Sequence, residues 1–325
     1  MRRRDFVTLL GNAAIAWPLA ARAQQPAIPV IAFLQEGDVS TAPHLLVAFR
    51  QGLAEAGYVE GKNLAIEYRY SKDRPELLPE AAGDLVRLNV NVIFAAGPLA
   101  VAAARSATNS IPIVAIDLES DPLATGYVKS LARPGGNLTG MFLDIPELIG
   151  KQMSLLKEAV PRLSRIASFG IPGVNTPQFA ATETAARAIA VETEIMEVRV
   201  PDDFKGALEA ARTRHVEAGI LLSSPLVFIA SKQIGELAIA QRLPLISLFG
   251  EFPKKGGLLA YGPSVADMYR RCGAYVGRVL HGEKPSELPI QRPEKFELVI
   301  NLETAKALGL EVPLQLQQLA DEVIE

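Results

Sequence analysis

The feature that most constrains this chain is an alternation of two kinds of segment. Apolar strand-type runs lie at 28–34, 90–95 and 111–116, and an alternating strand-type run at 64–70. Helix-type segments at 43–56, 76–88 and 98–107 separate them. The first helix carries Leu46, Phe49 and Leu53 on one side, and Gly57 stands at its C-cap. A second series has the same beat. Helices are expected at 146–160, 177–190, 202–214, 225–241 and 264–280. Strands are expected at 165–170, 194–200, 218–222, 244–249, 258–261 and 296–300. Strict alternation of this kind builds parallel sheets with helices on both faces. Two series imply an α/β chain of two doubly wound parallel-sheet lobes. No short repeat and no low-complexity linker separates them, so strand-like crossovers are expected to join them.

The N-terminus reads as an address. Arg2, Arg3 and Arg4 precede a mostly apolar stretch at 6–20 that is short for a membrane span, and Ala21-Arg22-Ala23 has a small-x-small pattern. Residues 1–23 are therefore expected to be an export signal, twin-arginine-like or general secretory, giving a periplasmic product. No Cys lies near the cleavage point, so no lipid anchor is expected. The signal carries four of the 33 basic and one of the 36 acidic residues, so the remainder has a net charge of about −6. That charge, with no basic run, argues against nucleic acid as a partner. Cys272 is alone, so no intrachain disulfide forms.

The chemistry concentrates where strands end. Residues 113–140 read IVAIDLESDPLATGYVKSLARPGGNLTG: an apolar strand, then Asp117, Glu119 and Asp121. A short helical segment at 125–131, a sharp turn and a strand at 138–142 follow. Ligands of open α/β sheets bind at such carboxyl ends. Three other strand ends share a device in which a polar residue or Gly precedes a Pro that suits the first helical position. These are Gly97-Pro98, Asn175-Thr176-Pro177 and Ser223-Ser224-Pro225. The N–H groups of a first helical turn bind carboxylates without a basic side chain. Acids supply the opposite charge: Glu36 and Asp38 after the first strand, the 117–121 cluster, and Glu251. Helix ends facing acids suit a zwitterion. Capping of the chain's own helices is the plainer use of the same residues.

Enzymatic signals are poor. His44, His215 and His281 are scattered without metal-ligand spacing, and no G-x-S-x-G, Walker or G-x-G-x-x-G pattern follows a strand. No catalytic residue, metal or cofactor is expected.

Five stretches resemble a known family: 48–70 (AFRQGLAEAGYVEGKNLAIEYRY), 117–140, 155–167 (LLKEAVPRLSRIA), 256–271 (GGLLAYGPSVADMYRR) and 295–310 (KFELVINLETAKALGL). They are similar to the ABC-transporter substrate-binding family of the type I periplasmic binding protein fold, in the subgroup with tryptophan-binding-type proteins. The resemblance implies two lobes joined by about three crossovers that close on a small ligand. It puts 28–142 with 255–284 in lobe one, and 143–254 with 285–325 in lobe two. Residues 136–144 then lead across the hinge. It implies ligand contacts at Gln35, Glu36, Gly97, Pro98, Glu119 and Asp121 in the first lobe. In the second it implies Asn175, Thr176, Ser223, Ser224, Gly250 and Glu251, with Tyr261 lining the cleft. Pro98-Leu99 lacks a hydroxyl that relatives often carry there, and the 170–177 loop also departs. Stacking on a flat ligand would fall to Phe33, Phe249 or Tyr261, each of which also suits a core.

The implied role is an exported, monomeric solute-binding protein that hands a small ligand to an ABC permease. An amino acid or related carboxylate is favoured, and an aromatic ligand comes next. Two other roles fit the same pattern: a ligand-sensing module for a membrane receptor, and a hydrolase using Asp121 and Glu251.

Overall fold

The structure, a computed structural model, describes residues 28–37, 42–72, 74–143, 145–160 and 162–325. The expected signal at 1–23, Asp38 and Asp144 lie outside them. The chain forms two sheets. The first holds β1 (Val30–Gln35), β2 (Ala65–Tyr70), β3 (Val92–Ala96), β4 (Ile113–Asp117) and β5 (Leu138–Phe142) in the order β2-β1-β3-β4-β5, all parallel. Helices α1 (Pro43–Glu55), α2 (Leu78–Arg87) and α3 (Pro98–Ala107) connect them. β3, β4 and β5 are buried at every residue, as expected of parallel strands covered on both faces.

The second sheet is built from α4 (Ile145–Ala159), β6 (Arg165–Gly170), α5 (Thr176–Ala188), β7 (Glu192–Glu197), α6 (Asp203–Thr213), β8 (Ala218–Leu221), α7 (Pro225–Gln241) and β9 (Leu245–Ser247). It continues through α8 (Glu251–Lys254), β10 (Leu259–Pro263) and, after α9 (Val265–Leu280), β11 (Phe296–Asn301). Helices α10 (Leu302–Leu308) and α11 (Leu314–Leu319) and strand β12 (Glu322–Ile324) end the chain. The strand order is β12-β11-β10-β9-β8-β6-β7, and only the β10–β11 pair is antiparallel.

Three placements differ from those expected. Segment 255–284 is split between the lobes. β10 pairs with β9 in the second sheet, Leu259 opposite Ile246, because its Leu259 and Ala260 fill a fully buried slot there. α9 instead returns to the first lobe and lies along α1. Its buried Met268, Tyr269, Cys272 and Val276 cover the first sheet beside Phe49. Contact is close enough that a Cβ on Gly52 would stand 1.7 Å from the Arg270 carbonyl oxygen, and one on Gly273 2.2 Å from that of Phe49. Secondly, residues 288–291 run beside β5 in the first lobe: Phe142 N–H donates to Gln291 O (3.0 Å), and Thr139 Oγ1 to Leu288 O (2.8 Å). Thirdly, 125–131 forms turns instead of a helix. Its Asp121 carboxylate draws the N–H groups of Leu123 and Ala124 into a local turn.

The chain thus passes between lobes three times: after β5, between β10 and α9, and between Gln291 and β11. The lobes are closed on each other. One apolar cluster runs from Phe33 and Phe94 through Tyr269 to Phe249 and Phe252. No helix among the described residues is long and apolar enough to cross a membrane.

Candidate ligand-binding cleft

Strands β1, β3 and β4 end at one edge of the first sheet, and β8 and β9 end facing them. Between the two sets lies a cavity of about 590 Å³, its open mouth included. Both lobes line it. Gln35, Glu36, Gly97 and Glu119 come from the first, Pro225, Phe228, Ile229 and Phe249 from the second, and Val265 and Tyr269 from α9. The walls are mostly apolar. Phe228 meets Phe249 edge to face at 5.1 Å, and Tyr269 meets Phe94 in the same manner at 5.5 Å. Such pairs hold the rings in fixed orientations.

Glu36 is the first polar feature. Its Oε1 accepts the N–H groups of Leu99 (2.6 Å) and Ala100 (3.3 Å). It therefore fills the positive end of α3 that the sequence leaves open for a ligand. Gly97 makes this possible. Its φ is +97°, and a Cβ there would stand 2.5 Å from Glu36 Oε1. Pro98 begins the helix behind it. Burial pushes the Glu36 carboxyl up to about 7; the two N–H bonds pull it down, and the Asp117 charge adds to the rise.

Glu119 is the second. It is buried, and its Oε1 accepts the Ser223 hydroxyl of the opposite lobe at 2.6 Å. Burial, then the neighbouring Asp117 charge, pushes Glu119 up to about 8. Asp117, fully buried behind it, accepts the N–H groups of Glu119 (3.0 Å) and Ser120 (2.9 Å) through Oδ1. Its Oδ2 has no partner, and neither does the buried Oε1 of Gln35. Burial raises the Asp117 carboxyl as well.

Other expected site residues have local work. Asn175 is buried and accepts the Ile171 N–H while donating to Ser223 O (2.7 Å for each), so it fixes the loop that presents Ser223. Gln178 holds the same residue through Ser223 N (2.7 Å). Thr176 is exposed at the start of α5. Ser224 caps α7 by accepting the Val227 N–H at 3.3 Å. Gly250 opens α8, and Glu251 pairs with His44 across the lobes at 3.1 Å. Asp121 is exposed and lines a second cavity with Glu119, Pro122, Pro177 and Arg292. Asp121 and Glu251 thus do not converge on one cavity, as a hydrolytic pair would have to. Tyr261 stacks on Phe296 at 5.9 Å and lines a third cavity near the hinge. Phe33 is core; Phe249, of the three aromatics, reaches the cleft.

Phe228 and Tyr269 are wall residues that strand-end reasoning misses, because both sit on helices. For Tyr269 a sequence signal existed: it lies in the apolar stripe of α9 one turn before Cys272. Its role follows only from the return of that helix to the first lobe.

Two α/β lobes, crossed three times by the chain and closed over a cavity at their strand ends, define a solute-binding protein of the type I periplasmic fold. The chain belongs to the ABC transporter substrate binding protein family, whose pattern matches residues 28–324. A tyrosine-binding protein of Clostridioides difficile is 23% identical over 267 residues, covering 81% of this chain and 76% of that one. The ABC domain from Streptococcus pneumoniae, solved in complex with L-Trp, superposes with a TM-score of 0.84 at 21% identity, over 91% of this chain and 99% of that one. A conserved domain protein from Vibrio cholerae superposes equally well, with a TM-score of 0.84 at 24% identity and the same coverage.

Proposed function

We propose that this chain is exported to the periplasm, captures a small ligand with an ammonium group and an apolar or aromatic body, and delivers it to an ABC permease. One observation carries the reading. An apolar cavity walled by both lobes holds two carboxyl groups, Glu36 and Glu119, at its polar end. A ligand that touches Glu119 and Phe228 together bridges the lobes and stabilises closure, because only the closed state offers both contacts. The tyrosine- and tryptophan-binding relatives support an amino compound with an aromatic side chain. Residues 2–4 and the 21–23 pattern support export.

Mass spectrometry of small molecules released on denaturing the purified chain tests the ligand class. Recovery of an unchanged aromatic amino compound is expected; recovery of an anionic sugar or phosphate ester would sink the reading. Fractionation of cells that express Arg3→Lys/Arg4→Lys tests the route. Loss of the periplasmic form would mark the twin-arginine pathway, and unchanged export the general secretory one.

A further inference from the structure

We propose that the cleft selects small primary amines with an apolar or aromatic body and no carboxylate, because Glu36 already supplies the anion at the helix end that would hold one. The proposal deepens the reading above and rests on it: the cavity is the ligand site. An α-amino acid needs partners for two charges. The structure provides a charged partner for one.

Consider the carboxylate first. Of the two reachable helix ends, that of α3 is fully served from within the chain and that of α7 all but the Leu226 N–H. At α3, Leu99 and Ala100 give their N–H groups to Glu36, and Pro98 has none to give. At α7, Pro225 again has no N–H, while Val227 and Phe228 donate to Ser224 Oγ (3.3 Å) and Ser224 O (3.2 Å). Among the described residues lining the cavity there is no Lys, Arg or His. The hydroxyl of Ser223 is spent on Glu119. A ligand carboxylate would enter a low-dielectric pocket beside two acidic side chains with no cationic side chain to receive it, only neutral donors such as the Gln35 amide and the Tyr269 hydroxyl, which is unfavourable.

The ammonium group faces the reverse situation. It carries three donors, and the polar end of the cavity offers acceptors. Glu36 and Glu119 line it, and the buried Oε1 of Gln35 lacks any hydrogen-bond partner. Asp117 stands behind Glu119 with its own Oδ2 unpaired, adding negative charge at the same end. A buried acceptor without a donor is costly in a folded protein, so a ligand that donates there gains more than an exposed hydrogen bond returns. A metal ion is the other cation to consider. Among the described residues no group of three acid, His or Cys side chains is placed to hold one. The walls, with Leu45, Ile116, Phe228, Phe249 and Tyr269, suit a hydrocarbon or aromatic body.

Calorimetry on the purified chain tests this with matched pairs: 2-phenylethylamine against phenylalanine, and tryptamine against tryptophan, with 3-phenylpropionate as the bare carboxylate. Each amine is expected to bind about tenfold or more tightly than its amino acid, a difference of one charged contact, and 3-phenylpropionate is expected not to bind. Glu36→Ala is expected to reverse the order, since it frees the end of α3. Glu36→Gln retains an oxygen for Leu99 and Ala100 and guards against misfolding; it should lose amine affinity without gaining phenylalanine. If either amino acid outbinds its amine in the unaltered chain, the inference falls and the proposed function stands. Binding of 3-phenylpropionate also overturns the inference. If no amine and no amino acid binds, both fall.

Discussion

Glu119 and Ser223 face each other across the cleft, and their hydrogen bond is the shortest polar link between the lobes among those described at this site. A hydrogen bond to an ionisable partner contributes about 1.5–3 kcal/mol when it forms to the charged state. Above pH 8, where Glu119 is ionised, Ser223→Ala should therefore weaken ligand affinity by about tenfold or more, as calorimetry would show. The carboxyls also impose a pH dependence. Glu36 and Glu119 rise from an ordinary 4.5 to about 7 and about 8 in the folded chain. Between 4.5 and those values the folded state binds more protons than the unfolded one, so stability falls as pH rises through that window and levels off above it. Charged or titrating neighbours on packed elements are Asp117 on β4 and Tyr269 on α9. The melting temperature of the unliganded chain is expected to drop between pH 5 and 8 on the order of the shift those two groups carry. Glu119→Gln should flatten the curve, and a curve unchanged by that substitution would discard the assignment. Amine affinity should move the opposite way, rising over the same range, because binding favours the ionised carboxylates.

At the scale of elements, the docking of α9 on α1 depends on absent side chains. Gly52→Ala pushes a methyl group into the Arg270 backbone, which cannot move as a flexible side chain can. Overpacking of this kind costs about 1–3 kcal/mol, and the melt should register it even at saturating ligand. Most elements were legible from the sequence, since parallel strands buried on both faces and amphipathic helices leave unlike periodicities. Strands at 138–142 and 165–170 and helices at 98–107 and 225–241 stand where the pattern puts them. What could not be read was partnership. Nothing in Leu259 or Ala260 tells which sheet has a vacant slot, and nothing local in Tyr269 tells which lobe its helix will cover. The site divided along the same line. Glu36, Gly97 and Glu119 follow from strand ends. The occupation of α3 by Glu36 does not, because it joins residues 63 positions apart through a side-chain torsion. Asn175 and Ser224 show the converse: a polar residue before Pro signals a cap as readily as a binding contact.

For the whole molecule, the proposed lobe-bridging ligand makes closure and binding one equilibrium. A ligand that contacts both lobes raises stability by about 2.7 kcal/mol at a concentration one hundred times its Kd, so the melting temperature should climb with the logarithm of ligand concentration. Small-angle scattering should show a smaller radius of gyration with ligand than without, most clearly above pH 8. There Glu36, Asp117 and Glu119 repel one another unless a cation sits among them. Equal radii in both conditions would mean that the lobes do not open.

The return of α9 also bears on how the chain is made. Synthesis proceeds from the N-terminus, and domains tend to fold as they emerge. Here the first five strands appear early, but the helix that covers Phe49 is among the last segments translated. The first lobe must therefore wait, its aromatic face uncovered, while five of the seven strands of the second sheet are produced. A ribosome stalled near residue 262 would carry a nascent chain with an exposed greasy groove along α1. Chaperone capture at that point, and its release once residue 280 has emerged, would be the molecular record of a lobe assembled from two distant pieces of the gene.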